Sequence, residues 1–311
     1  MLAYAAKILQ DRGYNEINLN CGCPSKTVSS HNFGAKLMLD PPLVRRIIES
    51  MKAEVTIPIT VKCRIGVDNC DSYESLVHFI SVVSGVSPSS DSSAEEATEP
   101  TDASAASAAP LVSHFIVHAR KCWLNGVNTR ENRRIPDLRP DWVFRLLDDF
   151  PTLDFTLNGG IKSFAEAQRY LDELSPKRGR KLRGVMIGRM AMQCPWMFRH
   201  VDEIFYGCKG PGLSRRQIVE RYCDYVEKLQ ETHQKWKPKN DVVFRPLCTL
   251  FSGAPRGGAV FRGVLQDKLC IQKMPIRQAV MESLKCFDSE VLDEIDDYDP
   301  KNIESYSVVI E

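Results

Sequence analysis

The sequence predicts an α/β protein built on a parallel sheet or barrel, with a smaller helical segment after it. Two observations carry that prediction. Five short β-rich runs, at Ile17–Asn20, Ile59–Arg64, His114–His118, Phe155–Gly160 and Gly184–Arg189, alternate with stretches of helical spacing. Beyond Pro195 the strand pattern ends and helix signals follow one another to about Cys286.

Each element has a local reason. Leu2 to Arg12 reads as a helix with Leu2, Ala5, Ala6 and Leu9 on one face and Gly13 as its C-terminal cap. The first strand follows directly. Asp40 offers an N-cap with Pro41 at the first helical position, and Leu43, Ile47, Ile48 and Met51 recur at helical spacing. The second strand, Ile59–Arg64, carries Lys62 inside a buried-looking run, which is unusual for a lysine without a partner. Ser72 to Val83 reads as a helix. From Ser84 to about Pro110 the chain turns to Ser, Ala, Pro and acidic residues, the composition of a disordered surface insertion.

The third strand, His114–His118, runs into a long loop with Arg120, Lys121, Arg130, Glu131, Arg133 and Arg134. Pro140 to Asp149 is helical, and after the fourth strand Ser163 and Glu166 form a capping box. A short basic addition, Lys177 to Lys181, precedes the fifth strand. Ser214 to Gln217 is a second capping box, opening a helix to about Thr232 with Ile218, Tyr222, Val226 and Leu229 as its apolar stripe. Trp236–Lys239 breaks it. Shorter helices are expected at Phe244–Phe251, Gly258–Lys268 and Ile276–Cys286, with Phe244, Phe251 and Phe261 as core.

The 311 residues suffice for a large barrel or two domains. Eleven cysteines scattered without a framework fit a reducing compartment, and no apolar run is long enough to span a bilayer, so a membrane-free protein of the cytoplasm, or else of an organelle, is expected. Net charge is +1, unevenly spread: Lys181–Met281 holds 18 Lys or Arg against 8 Asp or Glu, and Phe287–Glu311 holds 1 against 9. The basic segment fits a polyanionic partner such as RNA; a solvated helical surface gives the same count. Arg245, Arg256, Arg262 and Lys268 are its candidate phosphate contacts.

The chemistry concentrates where the first strand enters Cys21-Gly22-Cys23-Pro24-Ser25. Ile17 and Leu19 face one side and Asn18 and Asn20 the other, which turns Asn20 and the Cys23 thiol toward one cleft at a strand's carboxyl end. There α/β enzymes hold catalytic groups. Cys23 reads equally well as a packing residue, and Cys21 more readily so. Cys-x-Cys without a second pair is poor zinc spacing. Gly159-Gly160 and Gly188-Arg189, after the last two strands, match the paired phosphate-binding turns of (β/α)8 barrels.

Taken together, Asn20-Cys21-Gly22-Cys23-Pro24-Ser25, Val61-Lys62-Cys63-Arg64-Ile65-Gly66, Val117-His118-Ala119-Arg120-Lys121, Glu131-Asn132-Arg133, Leu157-Asn158-Gly159-Gly160-Ile161 and Gly184-Val185-Met186-Ile187-Gly188-Arg189 resemble the flavin-dependent tRNA-dihydrouridine synthases. The Trp123–Pro136 loop and Asp68–Glu74 are most similar to subfamily A, and the likeness runs to about Gln266. The resemblance implies an FMN-containing TIM barrel with a helical tRNA-binding domain. NADPH is then the electron donor, and a uridine of the tRNA D loop gains hydride at C6 and a proton at C5.

Carried over by position, Cys23 is the proton donor, Asn20 orients the base, and Lys62 and His118 contact the flavin ring. Asn158, Gly159, Gly160, Gly188 and Arg189 hold the ribityl phosphate. Glu131 and Arg134 contact tRNA, beside Arg245 and Arg262 of the basic segment. The chemistry agrees: a cysteine near its reference pKa of about 8.5 stays protonated at neutral pH, and a lysine beside the flavin stabilises the reduced, anionic ring.

The resemblance also sets the expectation of a TIM barrel lacking its first three βα units, because the sequence opens in the helix before the family's fourth strand. The expected domains are a partial FMN-binding barrel over 1–198 with an insertion at 84–110, a helical tRNA-binding domain over 199–286 and an acidic tail over 287–311, in a monomer. Two other readings stay open: an FMN barrel oxidoreductase acting on a small molecule, and a non-catalytic RNA-binding remnant.

Overall fold

The computed structural model describes residues 1–89, 109–232, 238–254 and 257–295, with 299, 301 and 303. They divide into two units, Met1–Ile161 with Arg169–Met186, and Lys162–Gln168 with Ile187–Glu311.

In chain order the first unit contains α1 (Leu2–Asp11), β1 (Ile17–Cys21), α2 (Lys26–Ser29), α3 (Pro41–Lys52), β2 (Ile59–Arg64), α4 (Tyr73–Ser84), β3 (His114–His118), α5 (Pro140–Asp149) and β4 (Asp154–Asn158). Next come α6 (Phe164–Asp172), which straddles the division, and β5 (Gly184–Met186). The five strands pair in sequence order, every pair parallel. Asp40 caps α3 by accepting the Leu43 N–H at 3.0 Å, and Ser72 caps α4 through the Ser75 N–H at 3.1 Å. Both starts match the sequence reading.

The register places Asn20 beside Lys62, and Arg64, His118 and Asn158 in a single row. Because strand side chains alternate, these five share one face. The opposite face, with Leu19, Cys21, Val61, Cys63, Phe115 and Phe155, is buried against α3, α4 and α5. Each large apolar side chain sealed there contributes about 1.5–3 kcal/mol. Deeper on the polar face, Asn18 donates to Thr60 at 2.8 Å, Thr60 donates to Glu16 at 2.7 Å, and His114 meets Thr156 at 2.8 Å.

Several expectations are corrected. α1 packs chiefly against α3 along one line, so only Ala6 is buried and the predicted stripe partner Leu9 is 36% exposed. Gly184–Arg189 is not one strand: the ladder to β4 stops at Met186, since glycine weakens strand pairing, and a helix opens at Arg189. Ser163 accepts the Glu166 N–H at 3.0 Å, but Glu166 returns to the Lys162 N–H, at 2.8 Å, rather than to that of Ser163. Ser84 belongs to α4 and is buried, so the insertion starts after it. Residues 90–108 of that insertion lie outside the described residues, while Leu111 N–H donates to the Ser84 carbonyl at 2.8 Å.

The basic addition closes α5. Arg180 donates to the carbonyls of Leu147, Phe150 and Leu153 at 2.9, 3.1 and 3.1 Å. The first two are acceptors of the kind a helix C-terminus leaves open, and the third lies in the turn that leads to β4.

The second unit is helical: α7 (Arg189–Gln193), α8 (Val201–Tyr206), α9 (Arg215–Thr232), α10 (Asn240–Cys248), α11 (Gly258–Gln266), α12 (Ile276–Leu284) and α13 (Ser289–Asp293). The predicted capping box closes in both directions, Gln217 N–H to Ser214 Oγ at 3.3 Å and Ser214 N–H to Gln217 Oε1 at 3.0 Å. α9 buries Arg215, Val219, Cys223 and Val226: Val226 is as predicted, while Val219 and Cys223 take the fully buried places expected of Ile218 and Tyr222, which are partly buried beside them. Tyr222 instead sits at the rim, where its hydroxyl donates to the Val243 carbonyl at 2.9 Å.

Phe251 and Phe261 are core, with ring centroids 4.6 Å apart, and Phe244 is half-buried. α10 begins at Asn240 instead of Phe244, α11 passes into a π-turn at Asp267–Ile271, and α12 stops at Leu284. Trp236 and Arg256 lie outside the described residues. The acidic tail starts as ordered structure, since Asp293 takes both arms of Arg216 and Glu294 pairs with the buried Arg215. Among the described residues no helix is long and apolar enough to cross a membrane.

Candidate functional site

The turn after β1 is held from every side. Asn20 Oδ1 accepts the N–H groups of Gly22 and Cys23 at 2.9 and 3.1 Å. Ala35 N–H donates to the Cys23 carbonyl at 2.8 Å. Gly34, at φ 66, lies so close to that carbonyl that a Cβ there would strike it. The Cys23 backbone is therefore fixed while its side chain stays partly exposed. Its neighbour Cys21 is fully buried, and burial pushes its thiol well above the usual range. The same cause lifts Cys63 to about 12 and Cys122 to about 11. These three are packing residues; Cys23 is the thiol presented on the polar face.

Lys62 is half-buried beside it. Burial lowers its pKa, with Arg64 adding to the effect, and no carboxylate pairs with it among the described residues. His118 and Asn158 continue the row. Asn158 Nδ2 donates to the Met186 carbonyl at 2.8 Å, tying β4 to β5. Gly159 and Gly160 both have positive φ, 118° and 77°. A Cβ on Gly159 would come within 2.6 Å of the His118 ring, and one on Gly160 would strike Leu138. Glycine is required at both.

The loop after β3 is a built platform. Buried Asn132 accepts the Trp123 N–H and donates to the Trp123 carbonyl, both at 2.8 Å. Asn128 Oδ1 accepts the N–H groups of Arg130 and Glu131, and Glu131 returns to the Asn128 N–H at 2.8 Å. Lys121 pairs with Asp71 and stands 3.8 Å over the Trp123 ring. Glu131, expected at tRNA, thus has its carboxylate engaged within the loop, while Arg130, Arg133 and Arg134 point outward.

Arg64 is the residue the sequence reading missed. It is only 3% exposed, yet its guanidinium reaches backbone carbonyls on three separate stretches: Gly22 at 2.9 Å, Lys121 at 3.0 Å and Asn132 at 3.1 Å. The signal was present in the alternation, which puts Arg64 on the face of Lys62 and at the strand's end.

The remaining candidates belong to the second unit. Gly188 is the N-cap of α7, with open space where a Cβ would stand, and Arg189 begins the helix. Arg245 is 75% exposed and only 3.4 Å from Asp241, a pairing that adds little stability. Arg262 on α11 is partly exposed. Much of the basic excess is neutralised internally: Lys268 pairs with Glu282, and Arg277 with Glu227 and Asp224. A cavity of about 840 Å³ lined by Tyr73, His78, Arg145 and Asp149 contains none of the candidates. Asn20, Cys23, Lys62, His118, Asn158, Gly159 and Gly160 gather at the carboxyl ends of β1–β4; Gly188, Arg189, Arg245 and Arg262 form a separate set.

The chain as a whole has counterparts among known proteins. The family model of dihydrouridine synthase matches residues 1–86 and 93–274. A tRNA-dihydrouridine(20/20a) synthase of Shewanella oneidensis is 38% identical over 266 residues, 86% of this chain and 68% of that relative. One of a Synechocystis species is 40% identical over 267 residues, 86% of this chain and 69% of the relative. A third, of Vibrio cholerae, is 40% identical over 234 residues, 75% of this chain and 62% of the relative. With most of its length matched, and with the matched region spanning every strand that carries the site, the chain belongs to the dihydrouridine synthase family.

Proposed function

We propose that this chain reduces a D-loop uridine of tRNA to 5,6-dihydrouridine, with Cys23 as the proton donor. The observation that carries the reading is the Cys23 turn, rigidly held yet with its thiol partly exposed, beside a half-buried Lys62 that meets no carboxylate among the described residues. FMN, reduced by NADPH, supplies hydride to C6 of the uracil when bound. The residues present suit it: the uncompensated charge of Lys62 favours an anionic ring, and Gly188 offers open backbone for close approach. Lys62, His118, Asn158, Gly159, Gly160, Gly188 and Arg189 would hold it.

Cys23 completes the addition. Its S–H bond breaks as the C5–H bond forms, and the resulting thiolate is stabilised by Lys62 until water returns the proton. The uridine must leave its stack to reach a strand end, so an unpaired loop base is the suitable target. Arg134 with Arg130 and Arg133 offers phosphate contacts on the first unit, and Arg245 and Arg262 do so on the second. The compartment in this reading is the cytoplasm, where eleven cysteines stay reduced.

The test is nucleoside mass spectrometry of tRNA from cells that lack their own dihydrouridine synthases and express this chain. Dihydrouridine should appear with the native chain and vanish with Cys23→Ala at equal soluble yield. Wild-type levels from the Cys23 variant would remove the thiol from the reaction.

A further inference from the structure

The polar face holds a second buried cation besides Lys62, and its partners are of an uncommon kind. Arg64 donates Nε–H to the Gly22 carbonyl and Nη1–H to the carbonyls of Lys121 and Asn132. All three acceptors are backbone oxygens. A charge buried this deeply usually sits against a carboxylate, because desolvation must be offset. Here burial lowers the Arg64 pKa, and the groups that oppose the shift are the thiols Cys122 and Cys23.

The three carbonyls belong to two functional stretches. Gly22 lies inside the turn whose N–H groups Asn20 holds, one residue before Cys23. Lys121 and Asn132 lie at the two ends of the platform that turns Arg130, Arg133 and Arg134 outward. A planar guanidinium bridges them as one rigid fork, which an ammonium with a single nitrogen does not reproduce.

We propose that Arg64 is a positioning residue that couples the arginine-bearing loop to the Cys23 turn, so that the placement of the thiol depends on the order of the surface offered to RNA. The inference builds on the role of Cys23 proposed above. It acts through Gly22, without contact to a substrate, and it makes the proton donor's location a property of two loops rather than one. A distorted platform shifts the thiol; a well-formed one locks it.

The experiment reads the thiol directly and needs neither FMN nor tRNA. Alkylation of each cysteine by iodoacetamide is followed by peptide mass spectrometry across a pH series in the full chain, with exposed Cys208 as the internal standard. The profile separates two quantities, the midpoint and the limiting rate of the thiolate. In Arg64→Met the limiting rate of Cys23 should rise roughly tenfold against Cys208, while buried Cys21, Cys63 and Cys122 stay protected. Arg64→Lys should fall between native and Met. Asn132→Ala, which leaves Arg64 in place and loosens the platform, should raise the Cys23 rate roughly threefold, and it keeps the test alive should Arg64→Met not fold.

A limiting rate for Cys23 within about twofold of native in both variants overturns the proposal, whether or not the midpoint moves. A joint rise of Cys21, Cys63 and Cys122 with Cys23 also overturns it, by making Arg64 a prop of the whole unit. Absence of dihydrouridine with a normal Arg64 response would instead count against the proposed activity alone.

Discussion

The side-chain oxygen of Asn20 lies 3.1 Å from the backbone nitrogen of Cys23 and accepts its N–H, after already taking that of Gly22 at 2.9 Å. One amide thus fixes the turn that presents the thiol. Asn20→Ala removes the shared acceptor, and with it both hydrogen bonds, at an exposed position and should cost about 1–2 kcal/mol in chemical denaturation. Asn20→Asp keeps the acceptor and should keep most of the stability. Equal losses for both variants would show that the amide oxygen is not what holds the turn.

Gly159 at φ 118 backs onto the His118 ring. Gly159→Ala combines an unfavourable backbone conformation with a clash, and a loss of about 1–3 kcal/mol is expected from the midpoint of thermal unfolding. Gly188→Ala, where a Cβ meets open space, should be nearly silent in the same assay. A silent Gly159 variant would contradict the packing described.

Buried Asp148 accepts from Ser175 Oγ at 2.6 Å and from the N–H groups of Lys177 and Arg178 at 3.0 and 2.9 Å. Asp148→Ala leaves those donors unmatched and should lower unfolding free energy by about 3 kcal/mol in a urea titration. Ser175→Ala, which removes one of the partners, should lose less than half as much.

Burial and the nearby Arg183 hold the His114 pKa below 6.5, and its Nδ1 has no hydrogen-bond partner among the described residues. The unfolded chain therefore binds more protons than the folded one as pH falls through this range. Stability from the neutral ring is fully present above 6.5 and is lost as pH drops toward the folded value. The thermal midpoint of the native chain should decline below pH 6.5, and His114→Gln should flatten that decline. Parallel slopes for the two proteins would assign the pH response elsewhere.

Arg245 and Arg262 are proposed phosphate contacts, each the single cation of its helix, whereas Lys268 and Arg277 elsewhere in the unit are paired with carboxylates. Arg262→Ala and Arg245→Ala should each weaken tRNA binding and reduce the slope of log affinity against log salt by roughly one. An unchanged slope in filter binding would place the RNA elsewhere.

The sequence made the strands legible because their side chains alternate between a buried row and a polar row, and the helix starts because Asp40, Ser72 and Ser214 cap as their residue types allow. Cys23 was legible at the end of an alternating strand and Lys62 as a cation in a β-rich run, while the role expected of His118 rested on the resemblance. Arg64 was not legible, because a cation in a β-rich run announces its burial but not its partners, and backbone carbonyls leave no trace in residue identity. The exchange of Tyr222 for Cys223 in the α9 stripe has a related origin: Tyr222 is apolar by count yet is drawn to the rim by its hydroxyl. The expectation for Glu131 rested on the resemblance, and the loop's closure adds that its carboxylate accepts the Asn128 N–H.

The hydrogen bond from Leu111 to the Ser84 carbonyl has a consequence for how this protein tolerates change. The two ends of the insertion meet at a pinch, so the fold experiences the intervening chain as a closed loop whose length enters only logarithmically. Doubling that loop costs roughly 0.6 kcal/mol. The site between α4 and β3 is therefore a natural port, open to lengthening, trimming or the grafting of a foreign domain, while the strands that carry Cys23 and Lys62 keep their register.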